Sequence, residues 1–164
     1  MNKTLLLLIL SAQACAMSTD FARQPDDREF FIINETAETW KDLGLDFPVV
    51  CQQELEDLAV YETDTDGLVE VCERPAVGCF ATGYDRPLIV LNTDVPAYRD
   101  SKTGTLIHET LHLLEGCSGM GDSDHKNTEV WDTGPDFRQS VSFIASRRVL
   151  SVYPPGSEVS SGVL

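Results

Sequence analysis

The sequence predicts an α+β domain in which a small antiparallel or mixed sheet packs on one histidine-bearing helix, with a further helix at each end. Three observations predict it. Short apolar runs punctuated by Gly, Pro and Asp fill residues 47–91, the pattern of strands and turns. Apolar residues at helical spacing flank that region, in 28–43 and again in 137–149. Between the strands and the last helix stands His108-Glu109-Thr110-Leu111-His112, an H-E-x-x-H pattern. On a helix its two histidines, at i and i+4, share one face.

The N-terminus reads as an export signal. Lys3 supplies the positive charge, and residues 5–10 form an apolar core too short to span a bilayer. Ala12-Gln13-Ala14 and Ala14-Cys15-Ala16 are competing cleavage sites. Cys15 after Ala14 also resembles a bacterial lipobox, although Ala12 and Gln13 replace the larger aliphatic and small residues usual there. On this reading 1–16 is the signal, 17–27 a polar linker, 28–153 the folded domain and 154–164 a disordered tail. The protein is expected to be exported, either periplasmic or outer-membrane-anchored or secreted. Membrane attachment would run only through a lipid on Cys15.

The elements follow in order. Phe30, Phe31, Ile33, Ala37, Trp40 and Leu43 are mostly helically spaced, so a first helix is expected from near Asp27 to Gly44, its C-cap. Residues 47–51 read as a short strand. Residues 52–61 are acidic and ambiguous, with a helical turn as one option. Residues 63–67 read as a turn; they begin like a calcium loop, but the downstream acidic ligands do not follow. Residues 68–72 alternate and read as a strand, as do 79–82 and 88–91, giving a small meander. The H-E-x-x-H helix is expected from 101 or 103 to 115, with Asp100, Ser101 and Thr103 as possible N-caps and Gly116 as its stop. Leu106, Ile107, Leu111 and Leu114 form its apolar side; His108, His112 and Glu115 share another. A loop rich in Gly, Ser and Asp then folds back over the helix end, Val130 and Trp131 form a hydrophobic anchor, and a last helix starts at Gly134-Pro135 and ends before Pro154.

The chain has only three histidines, His108, His112 and His125, all within one short segment. Imidazole is the commonest metal ligand. A catalytic zinc takes three protein ligands and keeps a position open. One zinc per chain is therefore expected on His108, His112 and a third ligand. His125 leads, with Glu129, Asp122 and Asp124 as alternatives. Glu109, beside the first histidine, can reach a water at the metal without being a ligand, as a general base must. Glu115 is expected in a supporting or solvent-facing role. Tyr153, Arg138 and Tyr84 are candidates for stabilising an oxyanion, and nothing in the sequence selects among them.

Net charge is −15. That argues against nucleic acid as a partner, because neutralising phosphates takes Lys and Arg, and against adhesion to anionic lipid; no nucleic-acid partner is expected. Of five cysteines, Cys51, Cys72, Cys79 and Cys117 remain beyond the signal, enough for two disulfides in an exported domain. Three pairings are possible. Cys72 and Cys79 are near enough in sequence to close a hairpin-sized loop, which would leave Cys51 to tie an early strand to the loop after the histidine helix.

Helix, strands and H-E-x-x-H in this order resemble the zincin superfamily of zinc metallopeptidases. The segment with His108, Glu109, His112, Cys117, Gly121, Asp122, Asp124, His125, Val130 and Trp131 is similar to small exported bacterial lipoproteins of zincin type. The resemblance covers only 108–131. It departs from the metzincins, whose longer pattern wants Gly and His where Glu115 and Ser118 stand, and no Met follows His125. It implies a zincin-like fold, a peptide or protein substrate, and peptide-bond hydrolysis with Glu109 as general base; a monomer is expected. It also implies an edge strand near 88–91 that pairs with substrate. The competing expectation is a zinc-holding but catalytically silent surface protein that recognises a partner.

Overall fold

The computed structural model describes residues 17–96, 98–121 and 124–154. Residues 1–16, read above as an export signal, lie outside the described residues, as do Asp122, the side chain of Asp100 and the expected tail beyond 154. The chain forms α1 (Asp27–Asp42), α2 (Val49–Asp57), β1 (Ala59–Thr63), α3 (Thr65–Cys72), β2 (Gly78–Ala81), β3 (Leu88–Asn92), α4 (Tyr98–Cys117), a short 3-10 helix (Phe137–Gln139) and α5 (Val141–Val152). This is an α+β architecture of five helices and one three-stranded mixed sheet among the described residues.

The first helix forms where expected because its start is doubly capped. The Asp26 side chain accepts from Glu29 N, and the Glu29 carboxylate accepts from Asp26 N. Gly44, left-handed at φ +76, follows its end. The expected strand at 47–51 is instead the start of α2. Pro48 occupies the N-cap, Gln52–Asp57 contains strong helix formers, and the two valines that suggested a strand are solvent-facing. The expected strand at 68–72 belongs to α3. Asp64 accepts from Gly67 N and caps it, and only Leu68 of its apolar residues is fully buried. The turn at 63–67 thus serves as a helix start.

The sheet is not a meander. Its order is β1-β3-β2, with β1 parallel and β2 antiparallel to β3. Residues 88–91 therefore form the central strand, not an edge. All five residues of β3 are buried. Ile89 and Leu91 face a core shared with α1, α4 and α5; Leu88 and Val90 face a second core with Leu68 of α3. A strand covered on both sides reads as a continuous apolar run rather than an alternating one, which is what 88–91 shows.

The stretch expected as a linker is fastened to the sheet. Arg23 exchanges two backbone hydrogen bonds with Val60 of β1, and Met17 does the same around Tyr84. Among the described residues no strand pairs with the outer edge of β2. That edge strand lies close on α4: a Cβ on Gly78 would meet Thr105 Cγ2 at 2.5 Å and Val90 O at 2.8 Å. Only glycine permits this approach.

The histidine helix is longer than expected, passing through Gly116 to Cys117. The first left-handed glycine after it is Gly119, at φ +79. It packs on α1, α2, α5, β2 and β3, so it is the central element of the fold. Leu106, Ile107, Leu111, Leu113 and Leu114 are buried along it. The last helix starts later than Gly134-Pro135: the 3-10 turn intervenes and Ser140 caps α5 by accepting from Phe143 N. Disulfides join Cys51 to Cys117 and Cys72 to Cys79. The first therefore ties α2, not a strand, to the end of α4. Two disulfides are expected of an oxidising compartment. No helix among the described residues is long and apolar enough to cross a membrane.

Candidate metal centre

His108 and His112 lie one turn apart on α4, and packing of the apolar residues around them fixes the helix. The third imidazole comes from the loop. After Cys117 is pinned to Cys51, the chain turns back through Gly119 and Gly121, both left-handed. Asp124 (φ +49) and His125 (φ +61) are left-handed as well. Asp and His are among the non-glycine residues that enter this region most readily. The His125 carbonyl accepts from Thr133 Oγ1 at 3.1 Å, which holds the bend.

The result is a convergence of three Nε2 atoms. His108 to His112 is 3.3 Å, and His125 is 3.1 Å from each. Three nitrogens at about 2.0–2.1 Å from a tetrahedral zinc stand about 3.3 Å from one another. The separations and the all-imidazole donor set both fit that ion. Burial, with like charge from His112 and His125, pushes the His108 imidazole down to about 4. It is thus neutral near pH 7, with a lone pair to offer.

Glu109 is buried, at 5% exposure, on the helix face next to the trio. One turn to either side of it on α4 are Thr105, which touches Gly78 of β2, and Leu113. Leu113 and Gly116 line a cavity of about 370 Å³ with Phe80 and Ala81 of β2 and residues 82–87. Strand β2 and a cleft thus lie along the same stripe of α4 as Glu109.

Of the alternative third ligands, Asp124 and Glu129 are exposed and stand outside the group of converging donor atoms, which among the described residues is His108, His112 and His125. Glu115 is fully buried, which rules out a solvent-facing role. Of the oxyanion candidates, Tyr153 packs on Phe31 and Arg138 lies over Phe137, while Tyr84 packs on Phe21 and lines the cleft.

One residue at the site was not singled out by the sequence as belonging to it. Trp131, expected as a hydrophobic anchor, is buried, and its ring centroid lies 4.5–5.0 Å from those of all three imidazoles. The available signal was a large aromatic six residues after His125, beyond a loop that must fold back.

Comparisons with family models, with characterised proteins and with solved structures found no match to this chain.

Proposed function

We propose that this chain is an exported zinc-dependent metallopeptidase of zincin type, with Glu109 as general base. The observation that carries the reading is the convergence of three Nε2 atoms within 3.1–3.3 Å beside a buried glutamate. His108, His112 and His125 would hold the ion through Nε2. Zinc bound there would supply Lewis-acid activation of water and of the scissile carbonyl. Glu109 takes a proton from the attacking water and passes it to the leaving amine nitrogen. The burial that surrounds Glu109 keeps bulk water from competing for that proton. An extended peptide is oriented by main-chain hydrogen bonds along the outer edge of β2, with side chains entering the adjoining cleft. This assigns to β2 the role that the family resemblance gave to 88–91. The two disulfides support an exported site of action.

The test compares the wild-type chain with Glu109→Gln on a broad peptide library, with zinc content measured in both. The expected result is equal zinc and a loss of cleavage of about 10²–10⁴-fold in the variant. A wild type that binds zinc and cleaves nothing would overturn the peptidase reading in favour of a silent zinc-holding surface protein.

A further inference from the structure

Histidine χ2 is a broad torsion with no sharp minimum, so three rings converge only if packing fixes them. The imidazole centroids are 4.8–5.0 Å apart, and the Trp131 centroid is 4.9 Å from His108, 5.0 Å from His112 and 4.5 Å from His125. Four rings at near-equal separations stand like the corners of a tetrahedron. The indole therefore covers one side of the imidazole triangle. At 3% exposure it shuts out solvent there, whereas the histidines are only half-buried. Access to the trio is from the other side.

Trp131 is itself firmly held. Its backbone N–H donates to Asn127 O at 2.8 Å. The carbonyls of Glu129 and Val130 accept from Val141 N and Ser142 N, which pins the segment to the start of α5. Its indole N–H is buried and finds no hydrogen-bond partner among the described residues. The other tryptophan, Trp40, donates to Asp46 O at 2.8 Å. An unpaired buried donor carries a free-energy penalty. A phenylalanine would avoid that cost, but it lacks the second fused ring of the indole. We propose that Trp131 is a positioning residue of this centre: its indole braces His108, His112 and His125 in convergence and closes one side of the site. The proposal rests on the metal-site reading.

The test uses the full exported chain as wild type, Trp131→Phe and Trp131→Ala. Zinc alone is titrated against a competing chromophoric chelator, and the absorption of the cobalt form reports ligand geometry. Melting of the metal-free proteins separates bracing from general stability. Zinc affinity should fall about ten- to a hundredfold in Trp131→Ala, with Trp131→Phe between it and wild type and the cobalt spectrum altered. Tryptophan emission of the wild type should change on adding zinc, and that change should vanish in Trp131→Phe. Wild-type affinity and an unaltered cobalt spectrum in Trp131→Ala overturn the proposal and leave the metal site standing. Failure of the wild type to bind zinc overturns both. Should Trp131→Ala not fold, emission decides: a wild type that binds zinc with no change in emission overturns the brace.

Discussion

Helix α4 carries two partly buried polar clusters, and they are built on opposite principles. Near its start Lys102 joins Arg23, Glu29 and Glu62. The Glu29 carboxylate, 1% exposed, accepts from Arg23 Nη1 at 2.6 Å, Arg23 Nη2 at 2.8 Å and Asp26 N at 2.7 Å, and Lys102 lies 2.6 Å away. Lys102 also meets Glu62 at 2.6 Å. Two cations and two carboxylates satisfy one another, and the cluster ties the N-terminal strap, α1, β1 and α4 together. Near the middle of the same helix three imidazoles face each other with no opposite charge among them. The first cluster is complete in itself, so folding explains it. The second turns three like donor atoms toward one point, and neutral imidazoles so arranged have the lone pairs to share one ion. A cluster of one donor type converging on one point suggests a ligand in a way that a self-neutralising cluster does not.

That contrast can be broken from either side. The largest expected effect is on metal binding. His112→Ala should lower zinc affinity by more than about a hundredfold, since even groups that only orient a ligand are worth ten- to a hundredfold. Metal analysis should fall from about one zinc per chain to none, while melting of the metal-free protein barely moves. An unchanged zinc content in this variant would sink the metal centre. Glu29→Ala should do the reverse. It removes the buried carboxylate shared by Arg23 and Lys102, which are 43% and 22% exposed and keep Glu62, and should cost about 1.5–3 kcal/mol by urea unfolding. Zinc affinity should be unaffected.

Acid should dissect the same pair. Burial opposes ionisation of Glu29, but the hydrogen bonds from Arg23, Lys102 and the Asp26 backbone outweigh it and hold the carboxyl down at about 2. A free glutamate titrates near ~4.3. A carboxylate depressed in the folded state binds fewer protons there than when unfolded. Its stabilisation is therefore complete above ~4.3 and is lost as pH falls from there through 2, by about 3 kcal/mol in all. Unfolding of the metal-free protein followed between pH 5 and pH 2 should show this loss in wild type and not in Glu29→Ala. A loss of equal size in both would remove Glu29 as its cause.

How far the two halves of the molecule could be read in advance follows from where their determinants lie. His108, Glu109 and His112 are legible because helix periodicity alone puts them together. The third imidazole was legible by elimination of residue type, since no other histidine exists, although its placement depends on glycines and a disulfide that act at a distance. The strand runs misled for a physical reason. Alternation of Val69 and Val71 with polar neighbours suits a half-buried strand, but an Asp64 cap and a covering sheet select a helix. Conversely, the unbroken apolar run of 88–91 carried the mark of a central strand. Trp131 was seen as an anchor, and its role as a wall of the site emerges only from tertiary packing.

The smallest effect tests how the loop delivers His125. Asp124 and His125 are both left-handed, at φ +49 and +61, a state that costs a non-glycine residue about 1–3 kcal/mol and less for Asp and His. His125 cannot be changed without losing the donor, but Asp124 can. Asp124→Gly removes the backbone penalty and adds unfolded-state entropy of about 0.4–1 kcal/mol, so the two nearly offset. Zinc affinity and melting should stay close to wild type. Asp124→Val places a β-branched residue where φ is positive, which is a genuine outlier. The loop should relax and carry His125 away, lowering zinc affinity several-fold while α4, held by its own core, melts as before. If valine and glycine variants bind zinc equally, the left-handed bend does not set His125. The third donor would then be held in place by its side-chain packing against Trp131 and the two helix histidines.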